Sequence, residues 1–260
     1  MLTDPQRQHA AQILRDAELR RSPVGPLTGT FPEIGTDDAY EIQLVNIRHR
    51  VAAGAEVCGH KVGLSSPVMQ RMMGVDEPDY GHLLADMELS QDRPVPVSRY
   101  CSPRVEVEVG FVLGADLPGE GCTTADVLAA TERVVPALEL IDSRIRDWRI
   151  SIADTIADNA SSAGFVIGEG RDPRELDLKA IEARLTSGGE LLAEGRGDAV
   201  LGDPAVSVAW LARTVARFGV SLKKGHLVLP GSCTRAVDVA AGATFTADFT
   251  GLGPVSLSFT

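Results

Sequence analysis

The sequence predicts an α+β fold built around a mostly antiparallel or mixed sheet. Two observations support this predicted fold. Short strand-like segments outnumber helical ones from residue 56 onward, and the helices between them follow no regular strand–helix–strand rhythm. Clear helical patterns are concentrated in the first 55 residues. We therefore expect a helical cap over residues 1–55 packed on a catalytic core over residues 56–260, the two forming a single folding unit.

Both helices of the cap carry start or stop signals. Thr3 or Asp4 can cap the first, Pro5 suits its first turn, and the helical pattern runs to about Arg21. The second is predicted to begin after residues 36–38 and to end at Gly54, the residue type that most often closes a helix.

The core reads as alternating strands and short helices. Residues 76–82 are predicted to form a polar turn. Helices are predicted over residues 66–72, 124–134 and 206–218. Strands are predicted over residues 56–64, 105–113, 136–142, 163–168, 226–229, 236–239, 244–249 and 255–259.

Charge limits the classes of partner. The 260 residues carry a formal net charge of −11, which argues against a nucleic-acid or anionic-membrane surface. Hydrophobic and charged contents of 44% and 23% are those of an ordinary globular protein. An anionic substrate would therefore need a local positive charge from a metal ion or from a placed lysine or arginine.

Four cysteines stand at spacings that match neither a zinc site nor a redox motif: Cys58, Cys101, Cys122 and Cys233. The first residues lack an apolar signal core, and no apolar run is long enough to span a bilayer. We expect a cytoplasmic protein with reduced thiols and no membrane partner.

Three glutamates lie inside stretches that otherwise read as buried strand. Alternate side chains of a strand share a face, so Glu106 and Glu108 point the same way. Glu139 follows on a second strand. Like charges on one face repel, and burying them unpaired is costly, so a divalent cation would resolve both problems. Three carboxylates suit Mg²⁺ or Mn²⁺. The alternative is a solvated acidic strand face.

Other segments offer polar groups that suit catalysis. Lys61 stands between glycines, which allow close approach of a ligand, and can hold a carboxylate or transfer a proton. Asp79 can orient water, and Ser161 can donate a hydrogen bond to a substrate oxygen. Taken singly, each also fits a surface lysine or an ordinary loop.

Together these segments resemble the 2-hydroxypenta-2,4-dienoate (2-keto-4-pentenoate) hydratases of the fumarylacetoacetate hydrolase superfamily. The resemblance covers nearly the whole chain from about residue 35. It rests on residues 59–65 (GHKVGLS), 74–81 (GVDEPDYG), 104–114 (RVEVEVGFVLG), 136–148 (PALELIDSRIRDW), 154–161 (DTIADNAS) and 202–211 (GDPAVSVAWL).

The resemblance implies a mixed β-roll or barrel-like core with flanking helices, a homo-oligomer, and a small anionic 2-hydroxydienoate or 2-oxo acid substrate. It places a Mg²⁺ or Mn²⁺ site at Glu106, Glu108 and Glu139. It implies catalytic roles for Lys61, Asp79 and Ser161, and substrate contacts at Ser65, Gly231 and Ser232. The implied reaction is addition of water to the dienoate, giving a 4-hydroxy-2-oxo acid, in the meta-cleavage catabolism of aromatic or steroid rings.

Three alternatives stay open. A 4-oxalocrotonate-type decarboxylase uses the same scaffold and metal, although residues 78–81 (PDYG) favour the hydratase. A hydrolase of acylpyruvates would need a water-activating His–Glu pair, and the sequence offers no candidate for it. A non-catalytic binding or scaffold protein would carry the acidic strands as plain surface.

Overall fold

The computed structural model describes residues 1–66, 70–71 and 74–260. Its helices α1 to α6 span Asp4–Arg20, Leu27–Thr30, Thr36–Ala52, Thr124–Ala130, Ile152–Ala157 and Pro204–Ala216. Its strands β1 to β11 span Val57–Gly63, Asp79–Leu84, Arg104–Leu113, Thr131–Ile141, Ser162–Ile167, Glu182–Ser187, Glu190–Arg196, Leu227–Leu229, Val237–Asp238, Thr244–Phe249 and Gly253–Ser258.

The strands form two sheets. The larger has the order β2-β1-β8-β3-β4-β5, with β9 paired to β3, and the smaller has the order β11-β10-β6-β7. Strands β1 and β8 are parallel, whereas the other neighbours in both sheets are antiparallel. The predicted α+β fold with a mixed sheet is confirmed.

The larger sheet curls until its two edge strands are linked. Directly after β2, the Leu89 amide donates to the Phe165 carbonyl of β5 at 2.7 Å. The side chain of Asn159 donates to the His82 carbonyl at 2.9 Å and accepts from the His82 amide at 2.8 Å. These bonds satisfy backbone groups that an open sheet edge would leave unpaired. The predicted barrel-like core is therefore confirmed.

The concave face of this sheet combines carboxylates with a small apolar cluster. Glu106 and Glu108 alternate along β3 with residues of the opposite face, and the same face continues to Val112. Val112 belongs to a buried cluster drawn from the strands of the curled sheet and the turn after β2: Leu83, Leu84, Met87, Val112, Val135, Ala137, Phe165, Leu227 and Leu229. Apolar side chains thus fill one end of the barrel, and the acidic residues lie next to them.

The N-terminal helices share a larger core with the convex face of the sheet and the smaller sheet. Helices α1 and α3 are joined by an ion pair from Arg7 to Asp38 at 2.7 Å and by a hydrogen bond from Arg15 to Asn46 at 2.6 Å. The division into a cap and a catalytic core stays a prediction. None of the helices in the described ranges is long and apolar enough to cross a membrane.

Two predicted elements were wrong in part. The helix predicted over residues 124–134 ends at Ala130, because Thr131 already begins β4. The polar turn predicted over residues 76–82 is in fact largely strand, since β2 begins at Asp79 and all six of its residues are buried. Burial here comes from tertiary partners that the local composition does not reveal. The β6–β7 hairpin was not predicted, and most of the helix predicted over 66–72 lies outside the described residues.

Candidate active site

Three glutamates meet on the antiparallel pair of strands β3 and β4. Glu106 lies directly opposite Glu139 in the register, and Glu108 follows two residues along β3 on the same face. Each can offer one carboxylate oxygen so that all three oxygens lie within 4.8 Å of one another. The strand pairing therefore converts two separate sequence segments into one compact set of oxygen donors.

The cluster is short of hydrogen-bond donors. Glu108 and Glu139 are 0% exposed, and one oxygen of Glu108 and both oxygens of Glu139 have no hydrogen-bond partner within the described ranges. Burial raises the pKa of Glu139 to about 7, against the opposing effect of Lys61. Burial and the neighbouring glutamates raise the pKa of Glu108 as well. Unsatisfied buried acceptors are costly, so the donor set fits a hard divalent cation.

Lys61 lies beside this cluster on β1. Its ammonium nitrogen is 3.5 Å from Glu139 Oε2 and donates to the carbonyl of Ala160 at 3.0 Å, and the residue is 3% exposed. Burial alone would lower the pKa of Lys61, but the carboxylates, with Glu139 first, raise it above its usual value. The neighbouring carboxylates therefore favour the charged form of Lys61 inside the site.

Asp79 enters the site from the first residue of β2. It pairs with Gly63 of β1, and a Cβ added at Gly63 would lie 2.1 Å from Asp79 Oδ1. Only glycine leaves room there for the carboxyl group. Asp79 is buried, its Oδ1 lacks a partner in the part of the chain that is described, and burial raises its pKa while Lys61 lowers it. The carboxyl group therefore has a free acceptor beside a cation.

Ser161 ends a turn of unusual conformation. Asn159, Ala160 and Ser161 have φ angles of 56°, 49° and 58°, the left-handed region that costs a non-glycine residue about 1–2 kcal/mol. The turn packs closely on β2, since a Cβ at Gly81 would lie 2.3 Å from the Asn159 carbonyl oxygen. The hydroxyl of Ser161 is buried and without a partner among the residues described, which leaves it available to a ligand.

A buried ion pair lies behind this turn. Arg144 donates through Nε to Asp158 Oδ1 at 2.6 Å and through its amide to Asp158 Oδ2 at 2.9 Å. Its two remaining nitrogens donate to the carbonyls of Asp142 at 2.8 Å and of Asp158 at 2.5 Å. The backbone of Ser161 donates to the Asp158 carbonyl and accepts from the Asp142 amide. The pair thereby joins the end of β4 to the turn.

The predicted substrate-contact residues lie in two settings. The Gly231 amide donates to Glu108 Oε2 at 2.7 Å, and Gly231 packs against Ser65. The Ser232 hydroxyl accepts from the Val107 amide at 3.1 Å. Ser65 and Gly231 therefore border the carboxylates, whereas the Ser232 hydroxyl is engaged by the β3 backbone.

Gly231 supports a sharp prediction about stability. Its φ is 119°, and a Cβ there would lie 1.9 Å from the Ser65 hydroxyl oxygen. We expect Gly231→Ala to lower the free energy of unfolding by more than about 3 kcal/mol, from backbone strain plus overpacking. Urea unfolding followed by circular dichroism measures this.

The matched control is Gly242→Ala. Gly242 has a φ of 83° but open space around the added Cβ, so only the backbone cost of about 1–2 kcal/mol applies. Equal losses in the two variants would contradict the packing argument.

The structure thus brings together the residues predicted for the metal and for catalysis from four strands and one turn. Sequence reasoning missed the groups that support them: Gly63, Gly81, Arg144, Asp158 and Asn159. Asp158 and Asn159 stood in the quoted 154–161 segment and Arg144 in the 136–148 segment, but only the register and the turn conformation reveal what they contact.

A cavity of about 550 Å³ lies elsewhere, between α1, α3 and the segments after β2 and β4. Its lining includes Arg15, Arg21 and Arg99 but none of the three clustered glutamates. We place the chemistry at the carboxylate cluster because the unpartnered buried acceptors and Lys61 lie there.

Fold and site define a class: a curled mixed β-sheet that holds two buried carboxylates and one partly buried carboxylate suited to a divalent metal, with a lysine beside them. Residues 76–259 match the Fumarylacetoacetate (FAA) hydrolase C-terminal family. The chain belongs to that family.

Several relatives match this chain over nearly the full length of both proteins. A 2-keto-4-pentenoate hydratase of Paraburkholderia xenovorans is 45% identical over 259 residues, covering 99% of this chain and 96% of that protein. A 2-hydroxyhexa-2,4-dienoate hydratase of Comamonas testosteroni is 43% identical over 260 residues, covering 99% and 97%. The solved 4-oxalocrotonate decarboxylase from Pseudomonas putida G7, complexed with magnesium and adipate, has a TM-score of 0.95 and 37% identity, covering 100% of this chain and 99% of that one.

Proposed function

We propose that this protein is a metal-dependent hydro-lyase. It adds water to 2-hydroxypenta-2,4-dienoate, or to a slightly longer 2-hydroxydienoate, and gives a 4-hydroxy-2-oxo acid. The observation that carries the proposal is the cluster of three carboxylates, two of them buried and Glu106 partly buried, with Lys61 at 3.5 Å from Glu139. The full-length similarity to named hydratases supports the same reaction.

Glu106, Glu108 and Glu139 would hold the ion, and Mg²⁺ or Mn²⁺ suits three carboxylate oxygens. When bound, the ion supplies a Lewis acid for the carboxylate and the neighbouring enol oxygen of the substrate. The Gly231 amide holds Glu108 through one oxygen at 2.7 Å and leaves its other oxygen free. The fold therefore orients Glu108 before any ligand arrives.

Lys61 would handle charge and protons. Its ammonium group offsets the negative charge of the substrate in a chain with a net charge of −11. In the first step the enol loses its O–H proton and carbon 5 gains a proton, which yields an unsaturated 2-oxo acid. Lys61 is the group placed to exchange these protons, giving one to carbon 5 and taking the enol proton in return, because it is buried and close to the carboxylates.

Asp79 and Ser161 would serve the second step. Water adds to the conjugated acid with its oxygen on carbon 4 and a hydrogen on carbon 3. Asp79 offers a free acceptor oxygen that can orient the water and take its proton, and burial raises the pKa of that carboxyl group. Ser161 can donate its free hydroxyl hydrogen to a substrate oxygen.

A second candidate is decarboxylation of an oxalocrotonate-type dioate. The observation that favours it is the TM-score of 0.95 with the solved decarboxylase. The two reactions differ in the bond that breaks, so product identification separates them.

The test is direct. The protein is incubated with 2-hydroxypentadienoate and Mg²⁺ or Mn²⁺, the loss of dienol absorbance is followed, and the product is identified. A chelator-treated sample serves as the control, and a parallel reaction with 4-oxalocrotonate is monitored for CO₂. We expect the 4-hydroxy-2-oxo acid only with metal. Release of CO₂ from the dioate, without hydration of the monoacid, would overturn the hydratase in favour of the decarboxylase.

We also propose a homo-oligomer in the cytoplasm, acting in the meta-cleavage catabolism of aromatic or steroid rings. The family resemblance supports the oligomer.

A further inference from the structure

Lys61 is held by a backbone carbonyl that belongs to a strained turn. Its ammonium nitrogen donates to the Ala160 carbonyl at 3.0 Å, and Ala160 is the middle of three consecutive left-handed residues. An ammonium group has three N–H donors. With one directed to Ala160 and a second facing Glu139 at 3.5 Å, the third is left for substrate.

The direction of that third N–H depends on the turn. Left-handed backbone is unfavourable for Asn159, Ala160 and Ser161, so the turn needs contacts that hold it. Asn159 supplies two hydrogen bonds to the β2 backbone. Further support comes from the Asp142 amide, which donates to the Ser161 carbonyl, and from Asp158, whose carbonyl accepts from the Ser161 amide.

Asp158 is in turn fixed by Arg144. Both carboxylate oxygens and the carbonyl of Asp158 accept from Arg144, and the two residues are buried. The same guanidinium group donates to the carbonyl of Asp142 at the end of β4, the strand that carries Glu139. Arg144 therefore links the turn that holds Lys61 to β4, the strand that carries Glu139.

We propose that the Arg144–Asp158 ion pair is a positioning device for Lys61, acting through the Ala160 carbonyl. Their hydrogen bonds run to each other and to backbone carbonyls, and none of these bonds reaches Glu106, Glu108 or Glu139. Their effect on turnover arises because the pair keeps the turn left-handed and so aims the ammonium group. The inference rests on the proposed function for its assay.

The decisive variant is Asp158→Asn, which keeps the shape of the side chain and removes its charge. We expect kcat per folded protein to fall about tenfold to a hundredfold, the usual effect of a displacement near 1 Å at a reacting group. The Kd for Mn²⁺, measured by calorimetry, is expected to stay within about twofold, since the metal ligands are on β3 and β4. Arg144→Lys keeps the charge but loses the planar guanidinium group. We expect it to lower kcat and to preserve the Kd for Mn²⁺ as Asp158→Asn does.

A matched control separates positioning from stability. Asp38 is also a buried carboxylate paired with an arginine, Arg7 at 2.7 Å, but in the N-terminal helices. Asp38→Asn should lower Tm as Asp158→Asn does while leaving kcat per folded protein unchanged. Equal kcat in Asp158→Asn and wild type, or a parallel loss of Mn²⁺ affinity, would overturn the proposal. If Asp158→Asn does not fold, Arg144→Lys carries the same comparison.

The route through Lys61 is tested by a double-mutant cycle in single-turnover reactions. In the Lys61→Ala background, Asp158→Asn is expected to cause no further loss. A second, proportional loss would show that the ion pair acts on another group. A wild-type protein without hydratase activity refutes the proposed function, whereas an active wild type with an equally active Asp158→Asn variant refutes only the positioning role.

Discussion

Changing Glu106 and Glu108 together to glutamine is expected to remove measurable Mg²⁺ or Mn²⁺ binding and to lower turnover at least about a thousandfold. Two of the three clustered oxygen donors would lose their charge, and the remaining Glu139 lies 3.5 Å from the competing ammonium group of Lys61. Metal titration by calorimetry and the dienoate assay measure the two effects. Unchanged metal affinity would remove the basis of the catalytic proposal.

The same variant should be more stable than wild type when metal is absent. Burial raises the pKa of Glu106 and of Glu108, so their charged forms oppose folding. Stability from such groups is lost as pH rises through the folded pKa, so the gain should be larger at pH 8 than at pH 5. Glu132→Gln, at an exposed site on β4, is the control and should change neither metal binding nor stability appreciably.

Changing Lys61 to alanine is expected to lower kcat at least about a hundredfold while the fold survives. Within residues 1–66, 70–71 and 74–260, the polar partners lost are Ala160 and Glu139. Affinity for Mn²⁺ should be equal to that of wild type or tighter, because a cation beside Glu139 has been removed. Calorimetry with Mn²⁺ and steady-state kinetics test both statements.

Lys223→Ala is the matched control for that experiment. Lys223 forms an ion pair with Asp116 at 3.0 Å on the surface, so its loss changes the net charge equally without touching the site. We expect normal kcat. Near-normal turnover in Lys61→Ala would leave Lys61 only the task of balancing the carboxylate charge.

Local patterns predicted much of the fold because they report local physics. The N-cap of α1 and the closing positions of α1 and α3 were predicted to within two residues, since a helix terminus depends largely on its own residues. The start of α3 was predicted less well, because the helix already begins at Thr36, with Gly35 as its N-cap. Strand β2 was mistaken for a turn because its burial depends on β1 and on residues 159–161, which are distant in sequence. Thr131 was assigned to a helix because nothing local marks the switch to β4.

Some features of the candidate site could likewise be predicted from local sequence, and others could not. Alternation along β3 predicted that Glu106 and Glu108 share a face, and the register places the third predicted ligand, Glu139, opposite Glu106. The local setting of Lys61, Asp79 and Ser161 made them candidates, and the family resemblance then implied their catalytic roles. Three successive left-handed residues without glycine follow no simple sequence rule, so tertiary contacts had to reveal the turn.

The parallel pairing of β1 with β8 also has a consequence for the order of folding. Residues 59–61 of β1 pair with residues 227–229 of β8, and the Gly231 amide holds Glu108. Such distant pairings make folding slow, since a long loop must close before they form. During synthesis, the three glutamates leave the ribosome well before residues 227–231 do. The carboxylate cluster therefore reaches its final geometry only after nearly all of the described chain has been made.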